Sequence, residues 1–252
     1  MDLAKLVSLL ANEALYFACP NELSDPFEGY LPKPYLEPLS DVIQEYVNDM
    51  RRRTERIANA IPKAELQRLD EGFADMKVAL QGAIRKTSLR FGVSCWHLSD
   101  HESEAMWKLY SASGQGIAIE STEQQLKAAI VPSENLTIGR VKYVDFHKDP
   151  IEKGHKHYLL FLKRKSFEHE RELRAILPLP EAGKGTLVKC DLETLITRIH
   201  VSPFAPPYLK PIVEYLCAGK PRTLDKPVVQ STLLDEPDYG LEIDCLSDFG
   251  DR

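Results

Sequence analysis

No stretch of this chain approaches the roughly 18 consecutive apolar residues that a membrane-spanning helix needs, so the sequence predicts a protein without a membrane span. Paired cysteines are missing as well. The five cysteines, Cys19, Cys95, Cys190, Cys217 and Cys245, are odd in number, scattered, and never arranged as CxxC. That pattern argues against a disulfide or zinc framework, and for free thiols in a reducing, cytoplasmic setting. An excess of positive charge is also absent. With 32 Lys and Arg against 38 Asp and Glu, the formal net charge of -6 supplies no global drive toward polyanions, although a local basic patch stays compatible with one. The opening MDLAKLVSLLANE carries Asp2, Lys5 and Glu13 and lacks a basic segment followed by a small-residue cleavage site. It is therefore expected to be a helix of the mature chain rather than a signal peptide. No internal repeat is evident.

What is present is an ordinary globular composition, 43% hydrophobic over 252 residues, enough for one large domain with an adequate core. Asp2 is placed to cap a helix over residues 3 to 12, with a strand at 15 to 18 and a turn-rich loop at 19 to 29. From about 40 to 86 the composition becomes charged and helix-favouring, with a break at Ile61-Pro62, which reads as an inserted helical pair. Strands are predicted at 89 to 95, 116 to 120, 136 to 146, 172 to 177, 186 to 190, 199 to 202 and 228 to 233. Helices are predicted at 102 to 110, 122 to 130 and 207 to 217, and residues 158 to 162 read as the end of another. Short strands interleaved irregularly with helices predict an α+β fold: a mixed, mainly antiparallel central sheet, flanking helices and the inserted pair. One domain over 1 to 234 and an acidic, flexible tail over 235 to 252 complete the expectation.

The segment from Lys163 to Leu177, KRKSFEHERELRAIL, concentrates most of the chemistry. If its strand begins near Glu170, alternation puts Glu170, Glu172 and Arg174 on one face. Carboxylates two residues apart then stand about 7 Å apart at their Cα atoms, near enough to divide labour on one substrate. Mutual repulsion raises one of their pKa values, and Arg174 or Arg164 opposes that. A run of charge is ordinarily a solvated, salt-bridged strand edge, but this one leads straight into an apolar strand. Lys163, Arg164 and Lys165 are the cations placed to meet a substrate or partner. Further along the chain, Trp107 and Tyr110 share a helix face and are placed to line a pocket, although core packing explains them as simply. Cys95, His97 and His101 suggest a metal set or a Cys/His dyad but fall short of the ligands either needs, so no metal is expected. Gly114-Gln-Gly116 precedes a strand, the reverse of a phosphate-binding loop, which leaves Ser121 at a strand end as the residue of interest there. Asp25 and Glu28 sit in a loop suited to a cation or hydroxyl, or simply to its own turn.

Taken together, LYFACPNELSDPFEG (15 to 29), VSCWHLSDHESEAMWKLY (93 to 110), GIAIES (116 to 121), IGRVKYVDF (138 to 146), KRKSFEHERELRAI (163 to 176), IHVSPFAP (199 to 206) and STL (231 to 233) resemble the mainly prokaryotic family catalogued as domain of unknown function 2971. In related sequences a short strand ending in Trp-Arg-Tyr precedes the equivalent of MDLAKLVSLL. The resemblance implies either that such a strand lies upstream of Met1 or that its arginine is missing. A looser resemblance joins Glu170-Arg-Glu172-Leu-Arg-Ala-Ile-Leu-Pro178 to the Glu-x-Glu strand of ADP-ribosyltransferases. It implies an ADP-ribosyltransferase-like fold with NAD as co-substrate. Glu172 would then be the catalytic carboxylate and Glu170 the group that orients the acceptor. Ser121, Trp107, Tyr110 and Arg174 would contact the cofactor. The implied activity is ADP-ribosyl transfer to a protein or nucleic-acid acceptor, or NAD glycohydrolysis, as in a toxin or phage-defence effector. On that reading Glu172→Gln abolishes turnover and leaves the melting temperature nearly unchanged. The runner-up is a metal-dependent nuclease using Asp25, Glu28 and Glu172 with Lys165. A third reading is a non-catalytic module whose residues 163 to 165 engage an acidic protein or nucleic acid.

Overall fold

The computed structural model describes residues 1–35, 63–111, 114–131, 135–150, 157–219 and 223–236, with positions 41, 45, 48, 49 and 52 between them. Most of the first helix expected of the inserted pair, the Ile61-Pro62 break and almost all of the expected tail fall outside the described residues.

Helix α1 (Leu3–Asn12) begins where the sequence places it, because the Asp2 carboxylate accepts the Lys5 backbone N–H at 2.8 Å. Leu6 and Leu9 turn inward. Glu13, at φ 45°, ends the helix in the left-handed region and turns the chain into β1 (Ala14–Phe17). Helix α2 (Lys63–Ser88) precedes β2 (Phe91–His97). Helix α3 (Glu104–Tyr110) is capped by Ser103, and β3 (Ile117–Glu120) follows. Thr122 and Gln125 form a reciprocal capping box at the start of α4 (Glu123–Ala129). Next come β4 (Thr137–Arg140), β5 (Lys142–Val144), a 3-10 turn (Tyr158–Phe161) and β6 (Leu162–Arg164). A second 3-10 turn (Lys165–Glu170) leads into β7 (Glu172–Pro178), then β8 (Thr186–Lys189) and the short α5 (Leu192–Leu195). Strand β9 (Arg198–Val201), α6 (Leu209–Cys217) and β10 (Val228–Gln230) close the described fold.

The α+β class and its largely antiparallel character hold, but several small sheets stand where one central sheet was expected. Strands β2-β7-β4 form an antiparallel sheet, and a bridge between Ala18 and Val93 ties it to the antiparallel β1-β8 pair. Strands β10-β9-β3 form a second three-stranded sheet, in which β10 and β9 are parallel, and β5 and β6 make a short parallel pair. The predicted strand over 136 to 146 is thus corrected to two strands in different sheets. Val141 marks the break: its N–H still bonds the Glu172 carbonyl, beyond which β5 leaves for β6. Gly139 permits the approach of β4, since a Cβ there would lie 3.0 Å from the Phe161 ring. The helix end predicted at 158 to 162 is corrected as well, to a 3-10 turn that passes directly into a strand.

The main core gathers Leu6, Phe17, Ile117, Leu126, Leu173, Ala175, Leu195 and Val213 from both three-stranded sheets and their helices. A second, small core of Val93, Leu160, Phe161 and Ile176 lies on the opposite face of β2-β7. That second face carries the charged centre.

Candidate functional site

Strand β7 divides its side chains by the two-residue period of a strand. Leu173 and Ala175 enter the main core, while Ile176 joins the second one. Arg174 and Glu172 follow Ile176 on that second face, opposite Cys95 and His97 of β2 in the ladder. Arg174 is fully buried, and nearly all of its donors are used. Its Nε donates to Glu172 Oε2 at 2.6 Å, Nη1 to Glu28 Oε2 at 2.8 Å and the Leu160 carbonyl at 2.7 Å, and Nη2 to Glu28 Oε1 at 2.7 Å. The guanidinium therefore grips Glu28 through both oxygens, a geometry that a lysine cannot reproduce.

Lys163 completes the centre from β6. Its Nζ donates to Glu170 Oε2 and to Glu172 Oε1, each at 2.5 Å, and stands 3.9 Å from Glu28. All three carboxylates and both cations are buried. Three carboxylates against two cations leave one negative charge in excess, and a buried excess charge favours taking up a proton. Glu170 is the group that takes it. Burial first, and then the hydrogen bond it shares with Glu172, push its carboxyl up to about 7, against the pull of Lys163. Burial opposes the charge of Glu172 too, but the hydrogen bond from Glu170 and the charges of Arg174 and Lys163 hold its carboxyl well below the ordinary range. The pair titrates jointly, one carboxylate ionised throughout and the other exchanging its proton near neutrality.

This arrangement has a consequence for stability. The Glu170 carboxyl is raised above its ordinary 4.5, so its stabilising share is complete below about pH 4.5 and is lost as pH rises through about 7. Glu172 is depressed, so its share is present above about pH 4.5 and lost as pH falls toward its lowered value. The melting temperature is therefore expected to fall between about pH 5 and pH 8, and Glu170→Gln, which cannot ionise, to flatten that slope. An undiminished slope in the variant would place its origin elsewhere.

The three cations expected to act together are separated, which corrects their reading as one basic surface toward substrate or partner. Lys163 is buried in the centre. Arg164 pairs with the buried Asp25 at 2.7 Å, and its guanidinium lies over the rings of Phe27 and Phe167. Only Lys165 is turned outward, to Asp149 at 2.7 Å. Asp25 also accepts the Phe27 N–H, so the 25-to-28 loop both makes its own turn and delivers two carboxylates inward. Trp107 is buried, its indole N–H donating to Glu102, which also accepts from Ser231; it belongs to the packing and not to a pocket wall. Tyr110 is half exposed, and its hydroxyl is pushed up to about 12 by burial and by Glu170. Ser121 follows β3 in the other three-stranded sheet and bonds the Thr122 carbonyl, away from the β7 face. His101 pairs with the exposed Asp100, and among the described residues no group of three or more His, Cys, Asp or Glu side chains is arranged to hold a metal ion.

One contributor escaped the sequence reading. Tyr143 of β5 accepts the Glu172 backbone N–H through its hydroxyl at 2.8 Å, fixing the first residue of β7. Cys95 is open to solvent on the floor of the same face although protein surrounds most of it. Burial, opposed by Arg174 and reinforced by Glu172 and Glu28, puts its thiol above the ordinary range and keeps it in the neutral, weakly nucleophilic form. The reach of Lys163 could have been anticipated only from the charge count, since two or three buried carboxylates must find cations somewhere. Comparison with family models, with curated proteins and with solved structures found no match for this chain.

Proposed function

We propose that the Glu170–Glu172 centre cleaves the nicotinamide–ribose bond of NAD, transferring ADP-ribose to water or to a macromolecular acceptor. The observation that supports this most is the geometry of two buried carboxylates joined through one lysine, Lys163 Nζ donating to both at 2.5 Å. A permanently ionised Glu172 suits stabilisation of positive charge, and a Glu170 poised near neutrality suits proton transfer. The looser resemblance to the Glu-x-Glu strand points the same way, with Glu172 opening β7 after a turn.

In the proposed step the C–N bond between ribose C1′ and the nicotinamide nitrogen breaks, and its electron pair leaves with neutral nicotinamide. Positive charge then develops on the ribose, where the excess negative charge of the centre lowers its energy. Water or an acceptor hydroxyl attacks C1′, and its proton passes to the ionised form of Glu170. Arg174, Lys163 and the Tyr143 hydroxyl hold Glu172 in place while this happens, so little reorganisation is needed as charge develops. Solvent and substrate approach past Cys95 and Tyr110.

The nuclease alternative required Asp25, Glu28 and Glu172 to present free lone pairs with Lys165. Each of these carboxylates faces a protein cation, and Lys165 pairs with Asp149. The binding-module alternative required residues 163 to 165 as one surface, and Lys163 is inside. Incubating the protein with NAD and measuring nicotinamide release tests the proposal. Turnover is expected to rise with pH through about 7 as Glu170 ionises. No release across roughly pH 6 to 9, with and without added protein and RNA acceptors, would overturn it.

A further inference from the structure

We infer that His97 is a positioning residue, holding closed the turn that brings the Glu170 carboxylate onto Lys163 beside Glu172. Its consequence for turnover rests on the NAD reading above, whereas its effect on the Glu170 carboxyl does not.

His97 ends β2 opposite Glu172 in the ladder, and its Nδ1 lies 2.7 Å from the Glu170 backbone carbonyl oxygen. A carbonyl only accepts, so Nδ1 carries the proton. Between Glu170 and Glu172 stands Arg171 at φ 43°, one of three non-glycine residues with positive φ among those described. A left-handed residue with a side chain is strained relative to ordinary backbone, so other contacts must hold it. Three hydrogen bonds close on the turn: Arg171 N–H to the Glu168 carbonyl at 3.2 Å, Leu98 N–H to the Arg171 carbonyl at 2.9 Å, and His97 Nδ1–H to Glu170. His97 supplies the only side chain of the three.

The turn is what makes the carboxylates a pair. Had β7 simply continued backward as a strand, Glu170 and Glu172 would stand about 7 Å apart at Cα, with their carboxylates side by side along the strand. The left-handed Arg171 instead folds Glu170 back, so that one lysine Nζ reaches both at 2.5 Å. The groups facing the Glu170 carboxylate are Lys163 from β6 and Glu172 from β7, with Tyr143 of β5 and Tyr110 of α3 in the surrounding field. Glu168, His169 and Arg171, its neighbours in sequence, are exposed. Releasing the turn would move Glu170 out of this set and into water.

Asparagine and glutamine separate the geometry from mere polarity. An Asn amide places its N–H near the position of imidazole Nδ1, and a Gln amide places it near Nε2. In protein labelled with 13C at the glutamate carboxyls, Glu170 is assigned by its loss in Glu170→Gln and titrated in wild type, His97→Asn, His97→Gln and His97→Phe. Wild type and His97→Asn are expected to titrate at about 7, and His97→Gln and His97→Phe at least halfway back toward 4.5. Equal values in all four proteins, or His97→Asn behaving as His97→Gln, would overturn the inference. If the titrations follow the expected order and no protein releases nicotinamide, the NAD reading fails and the positioning role stands. If nicotinamide is released and the titrations do not differ, the positioning role alone fails.

Discussion

Arg174→Met is expected to lower the free energy of unfolding by about 3–5 kcal/mol, the range found when one partner of a buried ion pair is removed. The methionine fills much of the same volume, so the loss is electrostatic. Glu28 loses both of its hydrogen bonds and keeps only Lys163, 3.9 Å away, while Glu172 and the Leu160 carbonyl lose one donor each. Against a total of about 5–15 kcal/mol for a domain, that is about a fifth of the stability or more. Chemical denaturation near neutral pH measures it. Arg174→Lys should fall between, because a point charge cannot hold Glu28 through two oxygens and still reach Glu172. Adding Glu28→Gln to Arg174→Met should recover part of the loss by removing the stranded charge. A cost below about 1 kcal/mol for Arg174→Met would mean that the centre behaves as a solvated surface pair.

Glu172→Gln is expected to reduce nicotinamide release by about 10²–10³-fold, the cost of removing one preorganised electrostatic stabiliser. It should also alter stability, a revision of the expectation drawn from sequence alone that the melting temperature would stay nearly unchanged. Glu172 is buried and its two oxygens accept from Lys163 and Arg174, so the amide keeps one acceptor oxygen and loses one bond, turning an NH2 toward a cation. The cost stays modest, about 1–3 kcal/mol, because Glu170 can then ionise fully and balance the two cations against Glu28. For the same reason the rise of any residual turnover with pH should shift below about 7. Nicotinamide release within about tenfold of wild type would remove Glu172 from the reaction.

Local signals in the sequence were strong where one element could be read by itself. Asp2 and Thr122 act as caps, and the alternation of Leu173, Arg174 and Ala175 about β7 is observed. The importance of Glu170, Glu172 and Arg174 as neighbours was legible for a reason only partly right. Alternation put them on one face of a strand, whereas the strand starts at Glu172 and Glu170 arrives through a left-handed turn at Arg171. Nothing in the local pattern favours an arginine at positive φ, so that turn could not be read from residue preferences. The union of the 25-to-28 loop with β7 was equally hidden, since which cation meets which buried carboxylate depends on strand order. The division of 136 to 146 between two sheets falls at Val141, whose N–H bonds the carbonyl of the distant Glu172, a contact that periodicity does not encode. Ser121 was chosen by a resemblance that follows linear order, and it follows a strand of the other three-stranded sheet; Trp107 was chosen by helix spacing, which does not tell a pocket wall from packing.

The Glu28–Arg174 clasp joins residues 146 positions apart in the chain. The charged centre is therefore also the tie between the opening loop and the strands of the second half. Any ligand that binds there in the folded state reinforces that tie as well as meeting the reactive groups, so occupancy of the site and resistance of the chain to unfolding rise together.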